Sequence, residues 1–134
     1  MTRSFRPNRA ARAALSAMVM LAAVTTSHAA ECEPAHDPAP QSDLAAPIAF
    51  YNDTPFALSL FWIDFDGFLT EYGMIQPAES ASFDSFVGHQ WLLEANTPEG
   101  PECVGPISAN DPAGCSMHIL YDNGFGYDGG MCDF

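Results

Sequence analysis

FYNDTPFALSLFWIDFDGFLTEYGMIQPAESASFDSFVGHQWLL, residues 50–93, decides the fold. Between Ala57 and Phe65, Leu58, Leu60 and Trp62 alternate with Phe61 and Ile63, the period of two that a strand requires. Asp66-Gly67 is a hairpin signal, and Phe68–Met74 reads as the returning strand. Gln76-Pro77-Ala78-Glu79 supplies the next turn before a strand at Ala81–Phe86, and Gly88 breaks the chain into the run His89–Ala95.

Outward from this stretch the grammar is the same. Ile48–Tyr51 is a short strand that ends at Asn52-Asp53-Thr54-Pro55. Asn52-Asp53-Thr54 is formally a glycosylation sequon, but an Asx-type turn between two strands explains it better. Downstream, turn-rich residues 96–102 lead to a strand near Val104–Ser108, the turn 110–114 follows, and Cys115–Tyr121 is the last regular strand. The tail DNGFGYDGGMCDF is glycine-rich and reads as irregular. Seven short strands with evenly spaced turns, and no helix-period segment, predict an all-β fold: an antiparallel β-sandwich stapled by disulfides.

Residues 1–29 read as a secretory signal peptide: four arginines, an apolar run from Ala14 to Thr26, and the small-residue ending Ser27-His28-Ala29. The run is too short to span a membrane, which takes about 20 residues. Residues 30–46 are Pro-, Ala- and acid-rich and read as a flexible leader, with residues 47–134 as the sandwich domain and its tail. The expected location is therefore outside the cytoplasm, secreted or periplasmic.

All four basic side chains lie in the signal segment and all 17 acidic residues after it, so the exported chain carries a formal charge of −17. Such a field disfavours nucleic acid and anionic lipid and favours neutral or basic partners. Cys32, Cys103, Cys115 and Cys132 are an even set in an oxidising compartment, which predicts two disulfides. Of three connectivities, Cys103 with Cys115 would close a Gly/Pro-rich hairpin loop, and Cys32 with Cys132 would tie the ends of the domain together.

Trp62, Tyr72, Ser85, His89 and Trp91 have the chemistry of a small aromatic pocket with two groups able to read a hydroxyl. Singly, the tryptophans and the tyrosine read as core, and Ser85 and His89 as partners for buried backbone groups. Together with Asn52, Pro55, Phe65-Asp66-Gly67, Pro77 and Gly88-His89-Gln90-Trp91-Leu92, they resemble the β domain of the von Hippel-Lindau tumour suppressor family, without a gap over residues 50–93. The distinctive pieces are W-x-D-F-D-G and S-x-x-G-H-x-W. The resemblance implies a β-sandwich that recognises 4-hydroxyproline in a peptide, with those five residues as its pocket. Plain proline would leave Ser85 and His89 unsatisfied, at a cost of about 1–3 kcal/mol per group.

Two departures narrow the expectation. The family's helical domain, which recruits a ubiquitin-ligase scaffold, has no counterpart, so no such scaffold is expected as a partner. Where the family carries basic residues ahead of its G-H-x-W motif, this chain reads Glu79-Ser80-Ala81-Ser82-Phe83-Asp84. A neutral or basic peptide or protein, hydroxyproline-containing, is the expected ligand, with no nucleic acid and no membrane. The alternative is a structural or adhesion domain whose acidic surface engages cations.

Catalysis is not expected. Asp84, Ser85 and His89 lie too close in sequence for a triad layout, and no G-x-S-x-G elbow is present. Residues 122–128 lack the spacing and terminal Glu of a calcium loop, and His36, His89 and His118 lack zinc spacing. No cofactor or metal is expected.

Overall fold

The computed structural model describes Cys32 and residues 36–133; the expected signal peptide, residues 1–29, lies outside the described residues. The chain forms β1 (Ile48–Asp53), β2 (Leu58–Ile63), β3 (Leu69–Ile75), β4 (Ser80–Phe83), β5 (Gln90–Thr97), β6 (Gly100–Ala109), β7 (Cys115–Tyr121), β8 (Phe125–Asp128) and β9 (Cys132–Asp133). They build a four-stranded sheet, β4-β1-β7-β8, and a five-stranded sheet, β3-β2-β5-β6-β9. Every pairing is antiparallel except β1 with β7, which is parallel. The fold is an all-β sandwich with two disulfides.

The alternation read from β2 becomes two apolar layers. Leu58 and Leu60 point between the sheets with Phe50, Leu93, Ile107, Met117 and Ile119. Phe61 and Ile63 point the other way and join Leu92 and Cys32 in a second, smaller cluster. β2 and β5 are consequently buried on both faces, which is why their sequences are apolar almost throughout. Each large side chain fully removed from water contributes about 1.5–3 kcal/mol.

Asn52, at the end of β1, is wholly buried. Its Nδ2 donates to the carbonyls of Phe56 (2.7 Å) and Ile75 (2.9 Å), and its Oδ1 accepts from the Thr54 amide (3.0 Å) and hydroxyl (2.7 Å). The Asx turn is thus a clamp joining the β1–β2 and β3–β4 connections. An amide so enclosed is not presented for glycosylation.

The disulfides are Cys32–Cys103 and Cys115–Cys132, which corrects the expected pairing of Cys103 with Cys115 and Cys32 with Cys132. Cys103 lies within β6 opposite Glu94, whereas the Sγ of Cys115 lies 3.9 Å from the Ser108 carbonyl. The five residues from Cys103 to Ser108 span roughly 16 Å at about 3.3 Å per residue, well beyond the ~7 Å a disulfide bridges. Moreover, Cys115 and Cys132 belong to the core between the sheets, and Cys32 to the cluster on the opposite side of the five-stranded sheet.

The tail also differs from the expectation. Asp122-Asn123-Gly124 closes a hairpin, with Asn123 at φ 55°, and β8 pairs back onto β7. β9 then adds to the end of β6. An Asn-Gly pair is a strong hairpin signal, and here it prevails over the glycine-rich composition. Upstream, residues 36–46 run against the sandwich. The amides of His36, Ala39 and Ala46 donate to the carbonyls of Gly67, Asp64 and Ser85, and Ala45 bridges to Phe86.

Candidate functional site

The pocket begins with strand register. Trp62 of β2 pairs with Trp91 of β5, and paired residues in an antiparallel ladder point to the same face. On the other side of β2, Leu60 pairs with Gly73 and Phe61 with Glu71, so Tyr72 is the extra residue of a bulge in β3. A bulge re-aims the residue it inserts. Gly73, at φ 118°, supplies the backbone conformation that follows it. The rings of Tyr72 and Trp91 then meet edge to face at 5.0 Å, and those of Tyr72 and Trp62 at 6.4 Å.

Ser85 and His89 come from the connection between β4 and β5. β4 stops at Phe83, two residues before Ser85 and short of its expected end at Phe86. The His89 amide donates to the Phe86 carbonyl, and Gly88, at φ 82°, lets the chain turn between them. Two adjacent amides anchor this connection, Val87 to the Leu44 carbonyl and Gly88 to the Ala109 carbonyl.

Trp62, Tyr72, Ser85, His89 and Trp91 all line one concavity of about 220 Å³. The five differ in exposure. Trp91 is 3% exposed and forms the floor, backed by the core ring of Phe50, whereas Tyr72 is 46% exposed and stands at the rim. His89 stacks on Trp62 at 5.5 Å and 26°.

Phe65, Phe83, Asp84 and Phe86 also line the pocket and were not singled out as site residues from the sequence. Phe83 stacks on Trp91 at 5.1 Å, and Phe65 meets Trp62 edge to face at 5.2 Å. Phe65 lies inside the W-x-D-F-D-G motif, and the other three lie within two residues of Ser85. Adjacency to the motif was the signal available for them.

The hydrogen bonds already made define what the polar groups can still do. The Trp91 indole N–H donates to Ser85 Oγ at 3.1 Å, so the serine hydroxyl accepts once and keeps its own proton to donate. His89 Nε2 lies 3.1 Å from the Pro40 carbonyl. A carbonyl only accepts, so Nε2 carries the proton, and Nδ1 is the acceptor of the neutral ring. One donor and one acceptor, each on a side chain at most 5% exposed, suit a hydroxyl, which is both. The Trp62 indole N–H is buried without a hydrogen-bond partner among the described residues. Such orphans are uncommon in folded proteins, and this one belongs to a residue of the pocket wall.

A larger, shallower cleft of about 460 Å³ crosses the four-stranded sheet over Ala49, Ser82 and Ser116. No aromatic ring or titratable side chain lines it, and chemistry therefore favours the smaller site. Among the described residues no group of three His, Cys, Asp or Glu side chains is arranged to hold a metal ion, and no helix is long and apolar enough to cross a membrane.

The model of one protein family, described as the VHL beta domain, matches residues 39–104. That interval contains every residue that lines the aromatic pocket. A search of curated proteins returns no match.

Proposed function

Because residues 39–104 place the chain in the VHL beta domain family, we propose that it is a non-catalytic binding module whose aromatic pocket takes the ring of a 4-hydroxyproline in a peptide or protein. One observation carries this reading: a hydroxyl donor on Ser85 and an imidazole acceptor on His89 line the same small concavity, walled by the faces and edges of aromatic rings. The rings supply apolar contact at low entropic cost. The polar pair supplies discrimination, since proline would bury both groups unpaired.

Charge narrows the ligand. Asp84 lines the pocket, and residues 32–133 contain no Lys or Arg. A neutral or basic sequence around the hydroxyproline suits that field, and an acidic one does not. Two disulfides suit an oxidising compartment, and the proposed ligands are accordingly hydroxylated proteins met outside the cytoplasm.

Calorimetry with two neutral peptides that differ only in 4-hydroxyproline against proline tests the reading. The hydroxylated peptide is expected to bind about thirtyfold tighter or more, the lower end of what two buried groups left unpaired at about 1 kcal/mol each imply. Equal binding of the two, or binding of neither, would overturn it.

A further inference from the structure

Both glycines of the distinctive motifs face the same piece of chain, and that piece lies outside the motifs. A Cβ built on Gly67 would meet the His36 carbonyl oxygen, and one built on Gly88 would come within 3.1 Å of Pro40 Cγ. Absent side chains at both turns therefore admit the strap formed by residues 36–40. Hydrogen bonds fasten it there. The His36 amide donates to the Gly67 carbonyl at 3.3 Å, the Ala39 amide to the Asp64 carbonyl at 2.9 Å, and His89 Nε2 to the Pro40 carbonyl at 3.1 Å. The His36 ring lies 2.6 Å from the Cys32 carbonyl, and Cys32 is bonded to Cys103 of β6.

The strap thus connects the W-x-D-F-D-G turn to the G-H-x-W turn. It also provides the only hydrogen-bond partner of the His89 ring among the described residues. Ring stacking alone does not choose a tautomer: Trp62, Phe65 and Phe86 contact the imidazole through their rings and leave its two nitrogens equivalent in role. The Pro40 carbonyl removes that equivalence, because it requires a proton on Nε2.

From this geometry we infer that the strap is a positioning part of the pocket: Pro40 holds His89 with Nδ1 bare, so that the site accepts a hydroxyl proton while Ser85 donates one. The inference rests on the hydroxyl-reading role proposed above and adds a residue to it. Pro40 touches no ligand; it acts through His89. The selectivity of the pocket then depends on a contact made across 49 residues of chain.

Nitrogen-15 spectroscopy of the histidine rings at pH 8 tests the inference without any ligand, with His89 assigned by its loss in His89→Asn. The full chain is expected to show one His89 tautomer, protonated at Nε2, with a slowly exchanging ring proton. A proton on Nδ1, or averaging between the two nitrogens, overturns the inference. Ala39→Pro removes the amide that ties the strap to Asp64 and leaves the sandwich strands untouched. Thermal melting and the core resonances of Phe50 and Leu93 report that the variant is folded, and Ala39→Asp, placed against Asp64, is the second variant should they not.

In the loosened strap the ring proton is expected to exchange faster. The hydroxyproline-to-proline affinity ratio of the same peptide pair is expected to fall about five- to tenfold, with the proline peptide unchanged. An unchanged exchange rate, an unchanged ratio, or an equal loss for both peptides overturns the inference. Should the unmodified chain bind neither peptide, the proposed ligand fails, and the imidazole spectra still decide what the strap does.

Discussion

Asn52 and the Ser85–His89 turn lie near opposite ends of β1, and both bury polar side chains, yet they use them in opposite ways. Asn52 spends all four of its hydrogen bonds inside the protein, two given and two received. Ser85 and His89 each spend one, and each keeps a complementary half, a proton on one and a lone pair on the other. Trp62 adds a third group with nothing spent among the described residues. Burial alone therefore does not separate a structural polar residue from a binding one. What separates them here is the hydrogen-bonding capacity left over after folding.

The largest expected effect comes from breaking the saturated side of this contrast. Asn52→Ala takes this partner from the Ile75 carbonyl and the Thr54 amide, while the Thr54 hydroxyl still reaches the Phe56 carbonyl at 3.1 Å. At about 1–3 kcal/mol for each group left unpaired, offset by water entering the turn, a loss of about 3 kcal/mol is expected in urea denaturation. Any folded fraction is expected to keep its preference between hydroxyproline and proline peptides. A cost under about 1 kcal/mol would mean that the clamp does not hold the β1–β2 and β3–β4 connections together.

Ser85→Ala is expected to do the reverse. It removes one acceptor and strands the Trp91 N–H, for a loss of about 1–2 kcal/mol in the same denaturation experiment. The affinity ratio for the peptide pair, by contrast, is expected to fall to within about twofold of unity, since the remaining acceptor on His89 reads only half of a hydroxyl. If stability falls as far as in Asn52→Ala while the ratio holds, Ser85 is structural and the contrast between the two turns collapses.

The two turns also differ in how much of them could be read in advance. The Asx turn at Asn52 is legible because everything it needs lies within a few residues: a short polar side chain, a strand before it and a strand after. The alternation in β2 and the Asp66-Gly67 hairpin are legible for the same local reason. The pocket residues were legible through two motifs that register and a bulge then bring to one mouth. Pro40 was not, because a composition rich in Pro and Ala says nothing of where a strap docks. Nor was the disulfide pairing, which depends on the side of the five-stranded sheet each cysteine reaches, a matter of strand parity and of the bulge between Trp91 and Leu93. In the tail, Asn123-Gly124 carried the signal for β8, but the surrounding glycines obscured it.

Tyr72 gives the smallest effect on stability and the finest test of the division of labour within the pocket. Its ring is half exposed at the rim and touches Trp62, Phe83 and Trp91 edge to face. Edge-to-face pairs of this kind contribute about 0.5–1.5 kcal/mol beyond area, and less when one ring is in water. Tyr72→Ala is therefore expected to shift the denaturation midpoint slightly and to weaken both peptides alike, by about five- to tenfold. Tyr72→Phe keeps the wall and removes only the phenolic hydroxyl, so it is expected to leave both affinities and their ratio in place. If Tyr72→Phe lowers the ratio, the phenol reads the hydroxyl too, and the unspent hydrogen bonding of the site extends from its floor to its rim.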